Sequence, residues 1–204
     1  MNIYPKNNTA LLLVDPYNDF MSKEGKAWPL VRTVTKQVNL HEHMKMVMKT
    51  CRAQGWPVFY APHHQYREGS FSDRKYLHPS QYLQGLGESF KANDFGSEFY
   101  SGFEPKEGDV VASQHDCSSG FTGTNLHEKL QEKAITHVII IGFLSNTCIE
   151  STARSALDLG YHVTLLTDAV AAWTSRDHEA AVKYNYPHLA NHLTDTKSFT
   201  HLFK

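Results

Sequence analysis

Val138-Ile139-Ile140-Ile141-Gly142-Phe143-Leu144-Ser145-Asn146-Thr147-Cys148-Ile149-Glu150 is the stretch on which the reading of this chain turns. Its four leading β-branched residues carry no polar alternation, the signature of a strand buried on both faces, as in a parallel sheet. Beyond Gly142 the period changes. Ile149, Ala153, Ala156 and Leu157 recur at helical spacing, and Gly160 closes the run. A strand therefore passes into a helix through a short turn, with Cys148 in the first helical turn. Unpaired N–H groups and the positive end of the helix dipole favour thiolate at such a place, and the same groups can hold an oxyanion. Spacing alone leaves two readings open: a buried structural cysteine, or a nucleophile.

The strand pattern recurs on either side. Ala10-Leu11-Leu12-Leu13-Val14 ends at Asp15, and Pro57-Val58-Phe59-Tyr60-Ala61 ends at Pro62-His63-His64. Val163-Thr164-Leu165-Leu166 ends at Thr167-Asp168, and Asp109-Val110-Val111-Ala112 is a weaker fifth run. Leu40, Met44, Val47, Met48 and Cys51 mark a helix that Gly55 stops; that places Cys51 in the core. Thr124 is a candidate cap for a helix carrying Leu126 and Leu130, as is Thr174 or Ser175 for one through Ala180, Ala181 and Val182. Strands alternating with helices predict a Rossmann-like three-layer α/β/α architecture around a mostly parallel sheet, in one domain spanning residues 1–204. Residues 63–108 resist this pattern, being rich in Ser, Gly, Tyr, Phe and charge without a period. So long an irregular segment reads either as a lid or oligomer contact, or as a surface excursion with a short helix near Pro79-Ser80-Gln81-Tyr82-Leu83.

Composition narrows the function classes. The 204 residues carry 20 Lys and Arg against 21 Asp and Glu, so no strong field recruits nucleic acid or an anionic membrane. Three cysteines (Cys51, Cys117, Cys148) cannot all pair, which favours a reducing, cytoplasmic compartment. The first ten residues lack a signal-peptide layout, and no apolar run approaches the ~18 residues a membrane span needs.

In open parallel sheets ligands bind beyond the carboxyl ends of the strands. Asp15 closes the first strand, His115 follows the third, and Cys148 follows the fourth. Each has an ordinary reading alone, as a turn residue, a loop histidine and a core thiol. Together they supply a nucleophile, a base and a carboxylate to orient it or take its proton. Cys117 lies in a polar loop, with no helix start to activate it.

The pattern resembles the isochorismatase-like cysteine hydrolases, a superfamily that includes nicotinamidases and N-carbamoyl amidohydrolases. The resemblance rests on residues 10–15 with Asn18-Asp19-Phe20, on Gly108-Asp109-Val110-Val111 with Ser119-Gly120-Phe121 and Thr124-Asn125-Leu126, and on residues 138–150. Thr152-Ala153, Leu159-Gly160-Tyr161 and Thr167-Asp168-Ala169 continue it. Asn146-Thr147-Cys148-Ile149-Glu150 is its most specific element and implies that Cys148 is catalytic.

The family triad is Asp, Lys and Cys. Six residues before the Phe of Ser-Gly-Phe, where the lysine is expected, this chain has His115. One family branch carries Glu-His-Trp here, of which only the His is kept. Either His115 replaces lysine, the reading favoured, or the site is weakened or serves another purpose. The resemblance further implies a cis peptide at Leu144-Ser145 that turns the Ser145 amide inward beside that of Cys148 as an oxyanion hole. Nicotinamidases hold a metal through one Asp and two His near the second strand. His63-His64 stand there, but the matching carboxylate and second histidine spacing is missing, so neither metal nor cofactor is expected. Phe20, Trp28, Phe121 and Trp173 are the expected aromatic walls of the substrate pocket, each with core packing as its alternative. The family habit and the irregular segment both imply a homo-oligomer, a dimer or tetramer. The implied activity is hydrolysis of a small amide or ureide C–N bond through a thioester. The alternatives are vinyl-ether hydrolysis, a binding or scaffold protein without catalysis, and a redox-sensing thiol.

Overall fold

The computed structural model describes residues 3–203. Six strands form one sheet: β1 (Thr9–Val14), β2 (Val58–Ala61), β3 (Val110–Val111), β4 (His137–Phe143), β5 (His162–Ala171) and β6 (His192–Thr194). Their order is β3-β2-β1-β4-β5-β6, and every neighbouring pair is parallel. Helices α1 (Asn18–Met21), α2 (Trp28–Gln37), α3 (Leu40–Ala53) and α4 (Pro79–Gly87) precede β3, and α5 (Leu126–Glu132), α6 (Glu150–Asp158), α7 (Ser175–Ala180) and α8 (Thr196–His201) follow it.

Alternation along the strands sorts the core into two layers. Leu11 and Leu13 of β1, with Ile139 and Ile141 of β4, pack against Val31, Val34, Met44, Val47 and Phe199 from α2, α3 and α8. Leu12, Val14 and Ile140 point the other way, onto Leu126, Leu130, Ala153 and Ala156 of α5 and α6. Each such aliphatic side chain contributes about 1.5–3 kcal/mol by leaving water. The expected strands and the helix through Cys51 are all present. Short β6, α2 and α8 had no expectation behind them, and β5 continues past Leu166 to Ala171. Polar Asp168 sits inside β5 because its carboxylate accepts from the Thr196 N–H (2.8 Å) and hydroxyl (2.7 Å), tying α8 to the sheet.

The strand order changes direction between β1 and β4, and there the two chains approach unusually closely. Gly142 has φ +123°, and a Cβ on it would lie 2.0 Å from the Val14 carbonyl oxygen. Only glycine lets β4 run beside the end of β1 at this point.

Residues 63–108 are an ordered excursion carrying α4. Pro79 opens the helix, the His78 side chain accepts from the Ser80 N–H, and Gln81 accepts from the His78 N–H. A buried carboxylate secures its return. Asp19 accepts from the Lys26 N–H (2.8 Å) and the Phe90 N–H, while Gly96 packs so near that a Cβ there would lie 2.4 Å from Oδ1. One side chain thus joins three segments. No helix among the described residues is long and apolar enough to cross a membrane.

Gly142→Ala is expected to lower unfolding free energy by more than about 3 kcal/mol in chemical denaturation. Gly123→Ala, at positive φ but in open space, is the control and should cost about 1 kcal/mol. Equal effects would mean that the contact with Val14 is unimportant. Asp19→Asn presents an amide NH2 to one of two backbone donors. A loss of about 3 kcal/mol is expected, seen as a melting temperature lower by about 6–12 °C.

Candidate active site

Three side chains from distant parts of the chain meet at the switch point. Asp15 follows β1 with φ +54°, a left-handed conformation that Asp tolerates better than most residues. It is fully buried. His115 stands beyond β3, where its N–H donates to the Pro62 carbonyl (3.0 Å) and its carbonyl accepts from the His64 N–H (2.9 Å). That extends the β2–β3 pairing and fixes the ring. Cys148 lies in a single π-helical turn, Ser145–Ile149, running directly into α6. The turn is held from behind: the Ser145 hydroxyl bonds His178 Nδ1 (3.0 Å), and the Tyr186 hydroxyl donates to the Ser145 carbonyl (3.0 Å).

His115 Nε2 lies 3.0 Å from Asp15 Oδ1. A carboxylate only accepts, so Nε2 carries the proton when Asp15 is ionised. Among the described residues Asp15 Oδ2 has no hydrogen-bond partner, nor does His115 Nδ1, although both are buried. A carboxylate oxygen of Asp15, a ring nitrogen of His115 and the Cys148 sulfur all lie within 4.8 Å of one another. Burial raises the Cys148 thiol well above its usual pKa, and the Asp15 carboxylate pushes the same way. The backbone N–H of Leu144 and the Thr147 hydroxyl oppose this. The resting sulfur is therefore a thiol, and beside it lies a buried carboxyl group with one oxygen unengaged among the described residues.

The non-proline cis bond is Phe143-Leu144, one residue before the expected Leu144-Ser145. β4 extends through Phe143, so the irregular backbone begins one step earlier, and the Leu144 N–H is the one that reaches the sulfur.

A cavity of about 720 Å³ opens above Cys148. Phe20 and Trp173 line it as expected, while Trp28 and Phe121 do not. Trp28 turns into the core, its ring 5.9 Å from that of His41. Phe121 packs on the opposite face of the sheet, 5.9 Å from the Tyr161 ring. The missing wall comes from α4 and its flanks: Leu83, Gln84, Leu86 and Phe90, with Cys117 opposite. Gln81 and Gln84, both buried and three residues apart, were the available signal for this helix's inner face.

The residues beyond β2 do not fit the metal site of the resemblance. His63 Nδ1 faces the His64 carbonyl (3.3 Å), and His64 Nε2 bonds the Ser70 hydroxyl (3.0 Å). Among the described residues, the trio of metal-ligating groups close enough to share an ion is Asp15, His115 and Cys148, which includes neither.

Comparison with known proteins agrees with this arrangement. The family model for the isochorismatase domain matches residues 9–198. A probable inactive nicotinamidase of Arabidopsis thaliana is 31% identical, over 86% of each chain. A ureidoacrylate amidohydrolase of Acinetobacter baylyi is 26% identical over 96% of this chain and 84% of its own. The crystal structure of N-carbamoylsarcosine amidase from Thermoplasma acidophilum superposes with a TM-score of 0.71 at 27% identity, covering 93% of this chain and 96% of its own. With its six-stranded parallel sheet and its reactive groups at the switch point, the chain belongs to the isochorismatase family of hydrolases.

Proposed function

We propose that the protein hydrolyses a small-molecule amide or ureide C–N bond through a thioester on Cys148. The observation that carries this reading is the trio itself: sulfur, carboxylate and imidazole buried within 4.8 Å of one another, with Cys148 opening onto the cavity. Relatives named for amide and ureide hydrolysis support the bond type.

The geometry supplies each proton a route. Cys148 Sγ attacks the carbonyl carbon while its proton passes to the Asp15 carboxylate, whose Oδ2 is unoccupied. A raised thiol pKa suits this, because sulfur becomes nucleophilic only as its proton leaves and no charge waits in the apolar floor beforehand. His115 holds Oδ1 and so orients the carboxylate, the task that falls to it in place of lysine. With the cis bond one residue earlier than expected, the N–H groups of Leu144 and Cys148, in place of Ser145 and Cys148, are assigned to the oxyanion, beside a turn held by His178 and Tyr186. Collapse of the tetrahedral intermediate breaks the C–N bond, and the proton on Asp15 leaves with the amine. Asp15 then takes a proton from water, which cleaves the thioester and restores the thiol.

A second reading, a binding protein without catalysis, is favoured by similarity to the relative named as probably inactive. Ammonia release from a panel of small amides and ureides separates the two. Turnover is expected for the natural sequence, with Cys148→Ala lowering kcat by more than about a thousandfold. If no panel member turns over and iodoacetamide labels Cys148 no faster than buried Cys51, the binding reading stands instead.

Asp15→Asn tests the proton route with opposite signs in two measurements. Turnover should be lost. Removing the carboxylate's charge lowers the thiol pKa, so alkylation of Cys148 should reach half its maximal rate at a lower pH than in the natural protein. An unchanged or higher midpoint would contradict the assignment.

A further inference from the structure

We propose that the cavity takes an uncharged substrate with an apolar body, and that His63 recognises it by accepting a hydrogen bond from the N–H of its carboxamide or ureide group. The inference rests on the amide-hydrolase reading and adds the substrate's charge class and the residue that reads it.

The walls are apolar: Phe20, Leu83, Leu86, Phe90, Leu144 and Trp173 all line the space. Lys26 is the one lysine or arginine among the described lining residues. Its ammonium is already engaged, donating to the Glu88 carbonyl (2.9 Å) and lying 3.9 Å from an Asp94 carboxylate oxygen. Beneath the sulfur lies the Asp15 carboxylate. A second carboxylate entering here would shed its hydration without gaining a free cation and would meet a like charge. A neutral molecule meets neither cost.

His63 supplies the polar feature. It is 6% exposed, and its ring lies edge-on to His115 (centroids 4.9 Å) and against Phe90 (5.4 Å), so packing fixes its orientation. The His64 carbonyl facing Nδ1 only accepts, so the ring proton resides on Nδ1. Nε2 is then a bare acceptor, without a hydrogen-bond partner among the described residues, on a ring that lines the cavity. Burial lowers the His63 pKa to about 4, so the ring stays neutral near pH 7 and accepts rather than donates. The His63-His64 pair beyond β2 thus has a use that needs no metal: an acceptor in an apolar chamber, matched to a substrate donor.

Binding to the Cys148→Ala protein tests this independently of turnover. The probes are benzamide and phenylurea as neutral N–H donors, 4-carbamoylbenzoate as the charged analogue, and methyl benzoate as the isostere without an N–H. Titration calorimetry should show at least tenfold tighter binding of a neutral donor than of 4-carbamoylbenzoate. Adding His63→Phe should weaken the neutral donor about 10–100-fold and methyl benzoate less than threefold. His63→Gln, which retains an acceptor, should recover most of the loss. Equal weakening of donor and ester by His63→Phe would reveal a merely structural role and overturn the proposal, as would 4-carbamoylbenzoate binding as well as benzamide, or no binding of either neutral donor. Should the binding pattern hold while the natural protein releases no ammonia, the catalytic reading fails and this one remains.

Discussion

Parallel pairing of β1 with β4 is the contact on which the rest depends. It runs residue by residue from Thr9 opposite His137 to Val14 opposite Gly142, and these two strands lead their connections away in opposite directions. The crevice between their ends is thus a product of topology. The first residue past β1 is Asp15, and the first turn past β4 carries Cys148. Nothing else in the chain needs to bring them together. The closeness of that pairing, permitted by the missing side chain at Gly142, puts a carboxylate and a thiol within 4.8 Å of each other.

Burial then sets the chemistry of the pair. A carboxylate sealed from water is costly unless it is hydrogen-bonded. His115 satisfies one oxygen and leaves the other unmatched. The same burial holds the thiol in its neutral form. In the proposed reaction the proton therefore moves between neighbours instead of being drawn from solvent.

Much of this was legible in the residues themselves. Long two-sided strands announce their place through unbroken aliphatic runs, and strand ends in a parallel sheet announce where reactive groups converge. The convergence of Asp15, His115 and Cys148 was legible in this way. β6 and α8 were not, because His192–Thr194 is half-buried and α8 turns only two residues, Thr196 and Phe199, fully inward. The pocket walls were half legible. An aromatic residue in a loop does not state which way it faces, and Trp28 and Phe121 face the core. Residues 63–108 had no readable period because their order comes from side chains bonded to backbone, above all Asp19 and Gln84. Such bonds leave no repeat to detect.

The wall and the floor are made by different means. Asp15, His115 and Cys148 stand at the ends of the sheet's strands, while much of the cavity wall belongs to α4, a helix secured by its own cap, by glutamine bonds to the neighbouring loop backbone and by the Asp19 clamp at its exit. Leu83 and Leu86 point from that helix toward the opening and remain largely exposed. Variation at these two positions is therefore nearly free of structural consequence. It gives the scaffold a way to diversify what it admits while keeping one unaltered apparatus underneath.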